Sequence, residues 1–295
     1  MKSNPFATTA LTLVTCIVLA TQLRAADSFG EIEYQKDVVY GEAAGAKLLL
    51  DVATPKGLDR DLPAIVMIHG GGWAAGDKKD FSDGAKQLAK AGYVVVTINY
   101  RHAPDHVFPA QVEDSKCAVR WLRAHAKRMH VDPRRIGAMG ASAGAHLSMM
   151  LGALDKADGL EGSGGWPDES SKVQAVVALF GPTNLVSEYP PVTQGILSKF
   201  IGGPKSEKLE LYRQASPLTY VNAGDAPMLL FQGTKDVLVP YQQAFEMATA
   251  LTEAGVGGRV ELLLGAGHGW GGRQLEDTVR QTVDFFATHL QPAVK

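Results

Sequence analysis

The sequence predicts an α/β fold: a mostly parallel sheet of eight strands, helices on both faces, and a small insertion late in the chain. Three observations carry this. From residue 30 onward β-type and helix-type runs alternate, as a strand–helix–strand repeat produces. Several β-type runs are apolar from end to end, as in Ala64-Ile65-Val66-Met67-Ile68 and Val94-Val95-Val96-Thr97-Ile98, which suits strands covered on both faces. The 295 residues, 45% hydrophobic and 20% charged, fit one large core, since α/β folds reach about 250 residues as a single domain.

Strands are expected at 36–40, 47–53, 64–69, 94–99, 135–139, 175–180, 228–232 and 259–264. The first two have no helical run between them, so they form an antiparallel hairpin at one sheet edge. Helical patterns cover 84–91, 109–128, 144–154, 241–254 and 274–289. Two stretches break the rhythm. Residues 155–171, rich in Gly, Asp and Ser, read as a loop. Residues 184–217 carry Pro190-Pro191 and follow the sixth strand, so one or two short helices there would hang over the sheet edge where ligands bind. A surface excursion without substrate contact is the alternative to a lid.

Residues 1–25 look like an export signal. Lys2 supplies a basic start, residues 10–20 (ALTLVTCIVLA) an apolar core, and Leu23-Arg24-Ala25 a small residue at the cleavage position. That core is shorter than the roughly 20 residues a membrane span needs, though an uncleaved anchor is the alternative. Cys16 sits in a poor lipoprotein box, because Thr15 occupies the usual small position. A secreted or periplasmic protein is expected, with residues 26–295 as its single domain. Only Cys117 then remains, so no internal disulfide is expected. Its helical pattern with Val112, Trp121 and Leu122 makes it a small buried hydrophobe.

Basic and acidic residues number 29 and 31, a formal charge of -2, so nothing drives counterion release from nucleic acid. No nucleic-acid partner is expected, and no later run is long and apolar enough to span a membrane. Loops for other chemistries fail on inspection. Gly71 and Gly76 have phosphate-loop spacing, but Asp77 rather than Lys follows. No G-x-G-x-x-G opens a helix. The histidines lack metal-ligand spacing, and a lone cysteine excludes a thiolate cluster. No metal and no cofactor are expected.

The chemistry-bearing signals lie at strand ends. Gly140-Ala141-Ser142-Ala143-Gly144 follows the fifth strand and opens a helical run, which makes Ser142 a nucleophile on a tight elbow. Ala143, at the helix N-terminus, can aim its N–H at a developing oxyanion. His69-Gly70-Gly71-Gly72-Trp73 ends the third strand, and its bare glycines, Gly71 and Gly72, can bring further N–H groups close to a ligand. His69 itself is read as a brace for that loop. A serine hydroxyl needs a base, and the base an orienting acid. Beyond the helical run that Ser142 opens only His268 and His289 remain, and His289 ends a helix. His268, in Gly265-Ala266-Gly267-His268-Gly269-Trp270 after the last strand, is the candidate base. Asp236 follows the preceding strand and is the candidate acid, because Asp225 would lie at the wrong end and Glu261 inside a strand. Trp73, Tyr100, Phe180 and Trp270 sit near the expected mouth as core or as ligand platform, and Trp73, Tyr100 and Trp270 are the candidates for substrate contact.

These motifs resemble the α/β-hydrolase superfamily, and within it the bacterial HGGGW-type esterases related to hormone-sensitive-lipase-type and feruloyl or acetylxylan esterases. The likeness includes His69–Trp73 with Gly76 and Lys78, Tyr100-Arg101, Ala103-Pro104, Phe108-Pro109-Ala110, the elbow, Phe180-Gly181-Pro182-Thr183, Gly233–Asp236 and Gly267-His268-Gly269. It implies an α/β-hydrolase fold, Ser142, Asp236 and His268 as catalytic triad, and Gly71, Gly72 and Ala143 as oxyanion donors. Asn184 departs from the pattern, since relatives usually carry Asp after Gly-Pro-Thr. The expectation is a serine carboxylesterase for short-chain or aryl esters, with a small-molecule or carbohydrate ester as partner, such as acetyl or feruloyl groups on polysaccharide. A prolyl-oligopeptidase-type peptidase shares the triad but carries a propeller-like domain ahead of it. A non-catalytic binding module on the same scaffold would be expected to have lost part of the triad or the glycines. Ser187-Glu188-Tyr189-Pro190 does not resemble the apolar lid of a lipase.

Overall fold

A computed structural model describes residues 29–290. The expected export segment at 1–25, with Cys16, lies outside the described residues. Eight strands form one sheet: β1 (Ile32–Ala43), β2 (Ala46–Pro55), β3 (Leu62–Ile68), β4 (Val94–Ile98), β5 (Val131–Ala141), β6 (Ala175–Leu179), β7 (Met228–Gly233) and β8 (Gly258–Leu263). Their order is β1-β2-β4-β3-β5-β6-β7-β8. β1 pairs antiparallel with β2, and β2 with β4, while every pair from β3·β4 to β7·β8 is parallel. The edge hairpin and the parallel body are as the sequence implies. β1 starts earlier than expected because its outer residues Glu33 and Gln35 are polar and exposed, which hides the strand signal at a sheet edge.

The helices are α1 (Ser82–Lys90), α2 (Ala110–Ala124), α3 (Ala143–Ala153), α4 (Pro191–Ile201), α5 (Lys205–Gln214), α6 (Gln242–Glu253) and α7 (Gly272–Leu290). Alternate strand residues feed two cores. Ala64, Val66 and Ile68 of β3 pack with α2 and α3 on one face. Ile65 and Met67 pack with α1 and with Phe286 and Leu290 of α7 on the other. This double cover explains the unbroken apolar runs. The stretch 155–171 is mostly irregular but fixed: Glu161 takes ion pairs from Lys116 (2.8 Å) and Arg120 (2.6 Å) of α2. Cys117 is buried and free. The 184–217 insertion holds two helices, α4 and α5.

Because β3, β5, β6, β7 and β8 run parallel, the residues just after each meet at one edge. The sheet order reverses between β4-β3 and β3-β5, so the loops after β3 and β5 diverge there and leave a crevice. His69 follows β3 and Ser142 follows β5, on either side of it.

Candidate active site

Ser142 stands between β5 and α3 with φ 55° and ψ −119°. A non-glycine residue so placed costs of order 1–3 kcal/mol and persists only where its surroundings dictate it. The glycines on either side do so. A Cβ on Gly140 would come within 2.6 Å of the Ile68 carbonyl oxygen, and one on Gly144 within 2.6 Å of that of His69. The turn therefore presses against the end of β3, and the Ser142 amide donates to the Leu179 carbonyl (2.9 Å) to fix it from the other side. Oγ is left facing the crevice.

There it meets the imidazole. Ser142 Oγ lies 2.9 Å from His268 Nε2, and His268 Nδ1 lies 2.8 Å from Asp236 Oδ2. A carboxylate only accepts, so Nδ1 carries the proton and Nε2 is free to accept one from the serine. The Asp236 side chain is fully buried. Its Oδ1 accepts from the amides of Leu238 (2.8 Å) and Val239 (2.9 Å), and its Oδ2 also accepts from Gln232 Nε2 (3.0 Å). Three fixed donors besides the imidazole hold the carboxylate in one orientation. The Phe180 ring stands edge-on to His268 at 4.7 Å. Phe180 itself has φ 45°, and its amide donates to the Phe231 carbonyl (2.7 Å).

The glycine loop closes the other wall. A Cβ on Gly70 would fall 3.3 Å from Ser142 Cβ, so the loop abuts the elbow. Gly71 and Gly72 adopt φ 113° and 59°, which glycine accommodates at no steric cost. Ala143 opens α3 beside them. His69 stacks on Tyr100 at 4.4 Å, and its Nδ1–H donates to the Gly70 carbonyl (2.7 Å). Burial lowers its pKa to about 4.

The structure thus brings Ser142, His268 and Asp236 together, with Ala143 next in chain to the serine and Gly71 and Gly72 following Gly70, which abuts it. It places the three expected ligand aromatics differently: each is buried and its polar atom is committed internally. Trp73 stacks on Phe200 (4.2 Å) and donates to His146 Nδ1 (3.2 Å). Tyr100 donates to the His69 carbonyl (3.1 Å). Trp270 donates to Thr278 Oγ1 (2.9 Å) and stands edge-on to Phe180. Asn184 gains a reason: its amide donates to Glu246 Oε2 (2.8 Å), where an Asp would set two carboxylates against each other.

Gln232 is a contributor that the motifs did not announce. Its signal was a polar side chain ending the otherwise apolar strand Met-Leu-Leu-Phe-Gln-Gly. Among the described residues no group of three His, Cys, Asp or Glu side chains is placed to hold a metal ion, and no helix is long and apolar enough to cross a membrane. An open cleft of about 680 Å³ lined by Gln35, Thr54, Trp121, Arg128 and His130 lies at the opposite end of the strands, with none of this chemistry.

A mostly parallel eight-stranded sheet with a serine elbow, a glycine loop beside it and an imidazole–carboxylate pair across the crevice defines an α/β-hydrolase of the esterase branch. The family model described as BD-FAE matches residues 50–251, and the chain belongs to that family. It is 33% identical to the probable carboxylic ester hydrolase LipM of Mycobacterium tuberculosis over 75% of this chain and 52% of that protein. It spans about half the length of curated relatives that it matches. Among solved structures it resembles a truncated carbohydrate esterase from gut microbiota (TM-score 0.78, 28% identity, 90% of this chain and 98% of that one). It also resembles Thermogutta terrifontis esterase 2 phosphonylated by sarin (TM-score 0.76, 27% identity, 92% of this chain and 100% of that one).

Proposed function

We propose that the protein is a serine carboxylesterase acting on short-chain or aryl esters through an acyl-enzyme. The observation that carries this is the unbroken relay from Ser142 Oγ through His268 to buried Asp236, at 2.9 and 2.8 Å. His268 Nε2 takes the serine proton as Oγ attacks the ester carbonyl carbon, and Asp236 stabilises the imidazolium that forms. The amides of Gly71 or Gly72 and of Ala143 hold the oxyanion of the tetrahedral intermediate. His268 then gives its proton to the leaving alcohol, and the same groups activate water to free the acid and Ser142. No cofactor enters these steps.

The substrate is an acetyl or feruloyl ester on a polysaccharide, and the compartment is outside the cytoplasm, secreted or periplasmic. The supports are the leader-like residues 1–25, the BD-FAE family and the likeness to a carbohydrate esterase. The test uses Ser142→Ala. Turnover of nitrophenyl acetate should fall by about 10⁴-fold or more, and labelling by a fluorophosphonate probe should vanish; retention of wild-type turnover rejects the assignment. Acetylated xylan and feruloylated sugars, set against simple alkyl esters and peptide amides, test the substrate class.

A further inference from the structure

Resting on that esterase reading, we infer that Ile196 of α4 sets the acyl-chain length the enzyme accepts. A Cβ on Gly72 would lie 2.9 Å from Ile196 Cγ2. The branched methyl therefore packs directly on an oxyanion-loop glycine, beside the N–H groups that hold the ester oxygen. The leaving oxygen must lie at His268 Nε2 to receive its proton. With the leaving oxygen at His268, the oxyanion at the loop N–H groups and Oγ beneath, the acyl chain takes the one direction left on the tetrahedral carbon, away from His268 and along the side where Ile196 packs on Gly72.

The wall cannot swing aside. One turn earlier on α4, Thr193 Oγ1 donates to the Leu238 carbonyl (2.8 Å), in the loop whose amides hold Asp236. One turn later, Phe200 is fully buried and stacked on Trp73, the residue after Gly72, and its carbonyl accepts from the Phe108 amide (2.9 Å). α4 is thus pinned to the acid loop at one end and to the oxyanion loop at the other. A β-branched residue in a helix has essentially one χ1 rotamer, so Ile196 has no alternative position that frees the space. An acetyl or propionyl group needs little room beyond the carbonyl, whereas a longer chain or a feruloyl group runs into the side chain, so of the two proposed substrates the wall favours the acetyl ester.

The experiment compares kcat/KM for nitrophenyl acetate, butanoate and octanoate. In Ile196→Ala the octanoate-to-acetate ratio should rise by about tenfold or more, within the range that a few methylenes are worth in an apolar pocket. In Ile196→Phe the butanoate-to-acetate ratio should fall by a similar factor. Gly195→Ala, whose added methyl meets open space, should keep the wild-type profile. Ratios within twofold of wild type in both Ile196 variants, with melting temperatures showing them folded, overturn the inference while leaving the esterase reading intact. A wild-type protein that neither takes the fluorophosphonate nor turns over any ester instead removes the reading on which it rests.

Discussion

The two halves of the site are held by different means. On the serine side, the elbow and the glycine loop are fixed by backbone pressed on backbone: Gly140 and Gly144 against the end of β3, and Gly70 against Ser142. On the imidazole side, the loops after β7 and β8 are fixed by side-chain hydrogen bonds that converge on Asp236. The serine half fails when volume is added. The imidazole half fails when a polar partner is removed. The first is a matter of sterics that leaves a mark in glycine spacing; the second depends on contacts that only the assembled chain creates.

The largest effect tests the imidazole half. In Asp236→Asn the volume is conserved, but the amide nitrogen can face His268 Nδ1 and favour the tautomer with its proton on Nε2, which cannot accept from Ser142. A loss in kcat of about 10⁴-fold is expected, with KM nearly unchanged. A loss below tenfold, measured on the folded variant with nitrophenyl acetate, would mean that this half is not organised around the carboxylate.

Next in size is an added methyl on the serine side. Gly144→Ala drives a Cβ onto the Ile68 and His69 carbonyls, and backbone cannot yield as a flexible side chain can. Destabilisation of about 3 kcal/mol or more is expected in urea titration. The contrast is Gly195→Ala at an exposed position of α4, which should stabilise by about 0.5–1 kcal/mol by relieving glycine's helix penalty. Equal responses at the two positions would erase the distinction between the halves.

A smaller loss is expected from Gln232→Leu. The substitution keeps the strand apolar and roughly preserves shape, but removes the donor to Asp236 Oδ2 and to the Val239 carbonyl (3.0 Å each). A hydrogen bond to a charged group is worth about 1.5–3 kcal/mol, so kcat should drop by roughly 10- to 100-fold. The loss should fall on kcat with KM nearly unchanged, because the carboxylate that orients His268 is less firmly held; a purely structural role for Gln232 would lower stability and leave kcat of the folded protein in place.

Much of the serine half was legible in the sequence. Gly140, Ser142 and Gly144 sit between an apolar run and a helical one, and a spacing that strict has a steric cause that survives in the letters. The edge hairpin was legible because no helix separates its strands. His268 and Asp236 were legible by chain order and by their places after the last two strands. Gln232 was not, since a single glutamine at a strand end has many ordinary explanations until its partner is in view. The buried stacks of Trp73, Tyr100 and Trp270 were not legible either. Adjacency to a catalytic loop places an aromatic near the mouth, but whether its ring faces ligand or core depends on Phe200, His69 and Phe180, which are distant in sequence.

Acid should attack the two halves unequally. His146 on α3 is buried, its Nε2–H donating to the Ala215 carbonyl (2.6 Å) and its Nδ1 accepting from Trp73. A second proton on Nδ1 would break the Trp73 bond that steadies the glycine loop. Burial lowers the pKa of both His146 and His69 to about 4, against 6.5 for an ordinary histidine. The unfolded chain therefore takes up protons first as pH falls, so stability is full above about pH 6.5 and declines toward pH 4. Each imidazole should cost about 2 kcal/mol by pH 5. Asp225 works against this, because burial raises its carboxyl pKa to about 6 and its protonated form favours the folded state below that pH. The diagnostic is consequently a difference: urea unfolding of wild type and His146→Gln at pH 7.5 and pH 5. The variant starts less stable but should lose about 2 kcal/mol less between the two conditions. Parallel losses would show that the serine half does not depend on a neutral imidazole, and that both halves answer to acid through their carboxylates alone.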